Sequence, residues 1–352
     1  MKLKKLWSAC LLLLSIAVIT AGCGGKSGDS EKSSNSSGGG DIKSAVYYVN
    51  GTLGDKGFFD SAQAGFQKAG TDLGIDIKTV EGGNNQADWA SSLESLVASK
   101  KYDVVLTGTI QMVDIVKDLA KRYPDQKFIF FDEVINDIPN VYSMLYSQSE
   151  GSFLAGAFAA LVTTSTELKG ANPDKVIGFV GGVDDPIVND FKSGYEQGAQ
   201  YIDKDVKIIT SYVGDWSNAP KAKELTLAQY NTQKADIVYQ VAGGAGLGTL
   251  EAGNEAGKYS IGVDANQNPL YPGSVLTSML KNIDTSVFRA FQLLQQGKLP
   301  LGKTEVLGLK EGGVGIAKDD LYAQYVPKSI QDKIAEIEKK LSTGEIKVES
   351  TL

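Results

Sequence analysis

Histidine is absent from the whole chain, arginine occurs only at Arg122 and Arg289, and cysteine only at Cys10 and Cys23. Each scarcity removes a class of chemistry. Without histidine the chain cannot build a Ser-His-Asp or Cys-His pair, and it lacks the usual zinc ligands. Both arginines fall in stretches that read as helix, so no bidentate clamp for a carboxylate or phosphate is evident. Beyond the first 22 residues no apolar run approaches the roughly 20 residues that a spanning helix needs, and the longest, 153–162, reads as a buried helix segment.

What is present begins with a leader. Lys2, Lys4 and Lys5 precede the apolar run 11–19, and Thr20-Ala21-Gly22-Cys23 follows. A basic start, a short apolar stretch and small residues at a cut site make a secretory signal. The cut falls just before a cysteine, so the segment reads as a bacterial lipobox in which Cys23 is lipidated and becomes the mature N-terminus. Thr20 stands where Leu is commonest, and the alternative is a plain secreted protein. Residues 1–22 are thus expected to be a lipoprotein signal peptide and 23–42 a Gly- and Ser-rich tether, which behaves as flexible coil. Acyl chains contribute about 0.8 kcal/mol per buried CH₂, so the protein is expected to be held to the lipid bilayer through Cys23 on the extracytoplasmic face of the cell membrane, without spanning it.

Loss of the leader removes Cys10, so no disulfide forms within the mature chain and the fold must rest on its core. The 35 basic residues, less the three in the leader, leave 32 against 42 acidic ones, a net charge near −10. That balance argues against nucleic acid as a partner. About 310 residues after the tether suffice for two domains.

From 43 onward short β-branched runs alternate with amphipathic stretches. Strands are predicted at 45–49, 76–80, 103–106, 128–131 and 140–146, with helices at 58–73, 86–99 and 112–122. The pattern then recurs, with strands at 176–180, 206–212, 237–241 and 260–263 and helices at 149–164, 189–202, 219–231 and 248–255. Such alternation means βαβ units and parallel sheet. Two successive halves of similar length imply two similar α/β lobes. Crossovers near 146–149 and 279–282 divide the chain into lobe 1 (43–147 and 282–312) and lobe 2 (148–281 and 313–352).

Ligands of open α/β sheets bind beyond the carboxyl ends of the strands. Those ends carry Asn50 with the loop 51–60, Asp132-Glu133, Gly181-Gly182 with Asp184-Asp185, Gly214-Asp215-Trp216, the run Gly243-Gly244-Ala245-Gly246, and Asp264. Aromatics, carboxylates and glycine backbone suit a neutral ligand with a flat ring and several hydroxyls. Each residue also has a plainer reading. Asp55 can cap the following helix, Phe58 and Phe59 can be core, Asp132 can make an Asx turn, and Trp89 and Trp216 can be packing. The glycine run has the wrong spacing for G-x-G-x-x-G and lacks a P-loop ending, so it reads as a wall of backbone.

Several segments together resemble the basic membrane protein family of ABC-transporter substrate-binding lipoproteins, whose characterised members bind purine nucleosides. They are Gly54-Asp55-Lys56-Gly57-Phe58, Tyr123-Pro124-Asp125 leading to Phe131-Asp132, Gly151-Ser152-Phe153-Leu154-Ala155-Gly156, Phe179-Val180-Gly181-Gly182, Ala242-Gly243-Gly244-Ala245-Gly246, Ile261-Gly262-Val263-Asp264, and Leu276-Thr277-Ser278 through Lys281-Asn282. The resemblance implies a hinged, two-lobed type I periplasmic-binding fold and no enzymatic activity. By position, Phe58 and a second-lobe aromatic, Trp216 or Tyr212, would sandwich a base, and Asp132 would bind the base edge. Asp264 and Lys281 would hold ribose hydroxyls, while Asn50, Gly243, Gly244 and Gly246 line the cleft. Phe59 departs from the family, which usually has Asn there. The implied partners are a nucleoside and an ABC permease, with no metal, no cofactor, no nucleic acid and a monomeric state. A sugar binder and a ligand sensor for a membrane receptor are the alternatives.

Overall fold

The computed structural model describes residues 42–352. The expected leader, Cys23 and all but the last residue of the expected tether lie outside them. Among the described residues no helix is long and apolar enough to cross a membrane.

The first half of the chain forms β1 (Ser44–Val49), α1 (Phe58–Leu73), β2 (Asp76–Glu81), α2 (Trp89–Ala98), β3 (Val104–Gly108), α3 (Val113–Arg122), β4 (Lys127–Phe131) and β5 (Val141–Tyr146). The second repeats the pattern as α4 (Gln148–Thr163), β6 (Val176–Gly181), α5 (Pro186–Ile202), β7 (Lys207–Tyr212), α6 (Ala219–Asn231), β8 (Ile237–Val241), α7 (Gly246–Ala256), β9 (Tyr259–Asp264) and β10 (Val275–Lys281). Then come α8 (Ile283–Gln295), β11 (Thr304–Leu307), β12 (Val314–Ile316), α9 (Asp320–Tyr325) and α10 (Lys328–Ser342).

The strands sort into two six-stranded sheets of matching order, β2-β1-β3-β4-β5-β11 and β7-β6-β8-β9-β10-β12. All pairings are parallel except that of β12 with β10. Period-two alternation explains why each sheet is covered on both faces. In β1, Ala45, Tyr47 and Val49 face one cluster with Phe66 of α1 and Phe291 of α8, whereas Val46 and Tyr48 face another with Trp89 and Leu93 of α2. Fully burying such a side chain contributes about 1.5–3 kcal/mol.

The chain passes between the sheets three times: at Ser147 into α4, at Asn282 into α8, and at 308–313 into β12. α4 packs on α5 so closely that a Cβ at Gly198 would strike the carbonyl of Phe153. These crossovers leave the carboxyl ends of both sheets facing one another, and the residues at those ends form the site.

Candidate functional site

On the first lobe the site begins with the loop after β1. Asp55 accepts backbone N–H groups from Gly57 (3.1 Å), Phe59 (2.8 Å) and Asp60 (3.1 Å). It therefore caps the first turn of α1 from two residues before the N-cap position, Gly57, and burial pushes its carboxyl up. The cap aims Phe58 inward, where its ring meets Phe59 at 5.2 Å and Phe131 at 5.4 Å. Phe59 also covers Gly51, where a Cβ would meet its ring at 2.8 Å. Phe59 thus stands as a buttress beside Phe58. At the ends of β1 and β3, Asn50 Nδ2 donates to Thr109 Oγ1 at 2.7 Å, leaving the buried Asn50 Oδ1 without a partner.

The two lobes meet through a buried ion pair. Lys281 Nζ at the end of β10 donates to Asp132 Oδ1 at the end of β4, 2.5 Å away, and Lys281 is only 1% exposed. Three rings surround the ammonium: Phe191 at 4.7 Å, Tyr146 at 5.5 Å and Phe58 at 5.6 Å. Burial drives the Asp132 carboxyl up while the nearby ammonium draws it back down. Asp264, at the end of β9, is pushed up to about 7, chiefly by burial; Lys281 opposes the shift and the neighbouring Asp132 and Asp55 add to it. Further contacts cross the cleft: Gln267 Nε2 donates to the Lys56 carbonyl at 3.1 Å, and a Cβ at Gly57 would lie 3.6 Å from that of Asp264.

Lys56, Thr109, Asp132 and Asp264 all adopt positive φ, between 55° and 77°. That left-handed region is unfavourable for side-chain-bearing residues, least so for Asp and most for β-branched Thr. Strain of this kind collects where a surrounding structure is built to hold side chains at a ligand.

Of the residues singled out in the sequence, Phe58, Asp132, Asp264 and Lys281 come together, with Asn50 at the adjoining strand end. Gly243 and Gly244 lie by Trp216 and, for Gly244, by Asp55. The space beside Gly246 is taken by the Gln240 carboxamide. Trp216 is 41% exposed and lies over Gly182, whose Cβ would meet its ring at 2.5 Å. Tyr212 donates to Asn189 Oδ1 at 2.7 Å. Trp89 is packing, its indole N–H bonded to the Gly83 carbonyl. Lys281 was expected beside Asp264, and its direct partner is Asp132. Phe191 was missed: it sits in the second turn of α5, which follows the cleft-facing end of β6, and that placement was the available signal. Both arginines are engaged in ion pairs, Arg122 with Glu94 and Asp118 and Arg289 with Glu305. A cavity of about 520 Å³ at the crossovers is lined by Asn282, Ser286, Arg289, Glu305 and Glu311. Among the described residues no acidic cluster is arranged to hold a metal ion.

Two parallel-sheet α/β lobes closing over such a cleft define a solute-binding protein of the kind that serves ABC transporters. The chain belongs to the family described as ABC transporter substrate-binding protein PnrA-like, whose profile matches residues 42–349. Its role is substrate binding rather than catalysis. The ABC transporter nucleoside-binding protein BmpA of Lactococcus lactis subsp. cremoris is 30% identical over 372 residues, spanning 99% of this chain and 100% of the relative. Basic membrane protein A1 of Borrelia garinii subsp. bavariensis is likewise 30% identical, covering 96% of this chain and 94% of the relative. The crystal structure of an ABC transporter solute-binding protein from Aeropyrum pernix K1 superposes with a TM-score of 0.79 at 26% identity, over 87% of this chain and 92% of that one.

Proposed function

We propose that the protein captures a nucleoside, purine nucleosides above all, outside the cytoplasm and passes it to an ABC permease, while acylated Cys23 holds it to the membrane. The observation that carries the reading is the buried Lys281 ammonium, flanked by Phe58 and Phe191 and by the carboxylates of Asp132 and Asp264. A base offers two π-faces, each worth about 1–3 kcal/mol on an aromatic ring. In this reading Phe58 takes one face, Phe191 is the inner ring of the second lobe, and Trp216 covers the rim. Asp132 and the free Asn50 Oδ1 accept from the donor edge of the base. Asp264 accepts from ribose hydroxyls, and Lys281 fixes both carboxylates. The excess of carboxylates disfavours a phosphate, so a nucleoside suits the site better than a nucleotide. The name of the Lactococcus relative supports the same ligand class.

Mass spectrometry of small molecules released from the purified protein tests this directly. Adenosine, guanosine or inosine should raise the melting temperature in keeping with RT ln(1 + [L]/Kd). A response to free sugars and to none of the nucleosides would replace this reading with carbohydrate binding. Cys23→Ser should leave the protein unacylated, as an uncleaved precursor or released from the membrane; a processed mutant still partitioning into detergent would refute the anchor.

A further inference from the structure

Gln148 opens α4 at the first crossover, fully buried, and neither atom of its carboxamide has a hydrogen-bond partner. Buried polar groups are costly to leave unmatched, so each exception asks for an explanation. The surroundings of this one follow from the helix itself. Three residues on, a Cβ at Gly151 would run into the Met279 side chain of β10. Four residues on, the Ser152 and Tyr239 hydroxyls share a 3.2 Å hydrogen bond against β8. Residues three and four apart lie on one helix face, so Gln148 continues this sheet-facing stripe by one turn toward the crossover. Side chains on β10 alternate, which sets Lys281 on the same face as Met279, two residues nearer the cleft. Stripe and strand therefore run out together, at the corner where β9 ends in Asp264.

Lys281 is itself under-matched there. Its ammonium carries three protons and has one hydrogen-bonding partner, Asp132, its other neighbours being aromatic rings and the more distant carboxylates of Asp264 and Asp185. A carboxamide with a free donor and a free acceptor, at the same corner as an ammonium with protons to spare, suits a group that both donates and accepts. A hydroxyl is such a group.

We propose that Gln148 is a further ligand-contact residue, whose carboxamide engages a hydroxyl at the sugar end of the ligand through Oε1 and Nε2. This rests on the nucleoside reading above. Gln148→Met keeps the length of the side chain and removes its polarity. In calorimetry the variant should bind adenosine, guanosine or inosine about 10- to 100-fold more weakly, the loss of one or two hydrogen bonds, and bind adenine as before. Its ligand-free melting temperature should hold or rise, because an unmatched amide is gone. Gln148→Glu, which keeps an acceptor, should recover part of the affinity, and it serves in place of Gln148→Met if that variant does not fold. Unchanged nucleoside affinity, with or without a lowered melting temperature, would overturn the proposal while leaving the nucleoside reading intact. Equal losses for adenosine and adenine would overturn the sugar-end placement. A wild-type protein that binds none of the three nucleosides would overturn both.

Discussion

The two lobes share a strand order, yet they furnish the cleft by opposite means. Behind Phe58 in the first lobe stands a chain of aromatic rings, Phe131 at 5.4 Å, then Tyr47, Phe66 and Phe291, each within 6.2 Å of the last. Behind Asp264 in the second lobe lies a buried polar network. Gln267 Oε1 accepts from Val263 N at 3.0 Å and from Gln240 Nε2 at 2.8 Å, Gln267 N donates to Ser278 Oγ at 3.0 Å, and Ser278 Oγ donates to Asn268 Oδ1 at 2.9 Å. Packing holds a ring in place without caring about direction, which is what stacking on a flat ligand needs. A satisfied hydrogen-bond network fixes direction, which is what a carboxylate aimed at particular hydroxyls needs. The first lobe thus holds the Phe58 surface, and the second holds the direction of the Asp264 carboxylate.

Lys281 joins the two designs, so removing it should have the largest effect. Lys281→Met leaves Asp132 buried without its counter-ion beside the other cleft carboxylates. Breaking a buried pair in this way costs about 3–5 kcal/mol. Urea unfolding should show a loss of that order and calorimetry a near-complete loss of ligand binding. Wild-type stability and affinity in this variant would mean that the lobes are not tied through this ion pair.

Asp264 should show the next largest effect, and its sign can be worked out. Its carboxyl in the closed form titrates near 7, above the ordinary carboxylate range. Between that range and about pH 7 the closed protein holds a proton that a solvated carboxyl has released. Ligand-free closure is therefore favoured on the acid side and fades as the pH climbs toward 7. Ribose hydroxyls donating to the ionised group reverse the slope, so nucleoside affinity should rise with pH and level off above about 7. Small-angle scattering of the ligand-free protein should show the more compact form at about pH 5.5. Asp264→Ala should flatten both trends, cost about 1.5–3 kcal/mol for each charge-assisted hydrogen bond to the nucleoside, and leave free-base affinity nearly unchanged. A pH-independent radius of gyration in wild type, or equal losses for nucleoside and base in the variant, would remove Asp264 from the polar half of the contrast.

The same contrast explains which parts of the molecule could be read from sequence. Strands buried on both faces, such as Phe128–Phe131, and helices with a clear apolar face, such as Phe58–Leu73, carry their period in consecutive residues. The carboxylates Asp132 and Asp264 were legible because they follow strands directly. The partner of Lys281 was not, since Asp132 lies 149 residues away in the other lobe and no local period encodes that meeting. Gln148 and Phe191 sit inside helices, where an amide or a ring reads as surface or core until the strand end beneath it is known. Edge strands β11 and β12, with four and three residues, are too short to show alternation.

Phe58→Ala should be the mildest of these changes in the unliganded protein and the most uniform across ligands. The ring is half-buried and packs against Phe59 and Phe131, both held by other contacts, so truncation opens a space on the cleft side rather than a void in the core. Its stacking contribution of about 1–3 kcal/mol is indifferent to the sugar. Calorimetry should therefore show adenosine and adenine weakened by the same amount, with the pH dependence of adenosine binding unchanged because Asp264 is untouched. A loss confined to adenosine would place Phe58 on the sugar, and the division between stacking on Phe58 and hydrogen bonding at Asp264 would then fail.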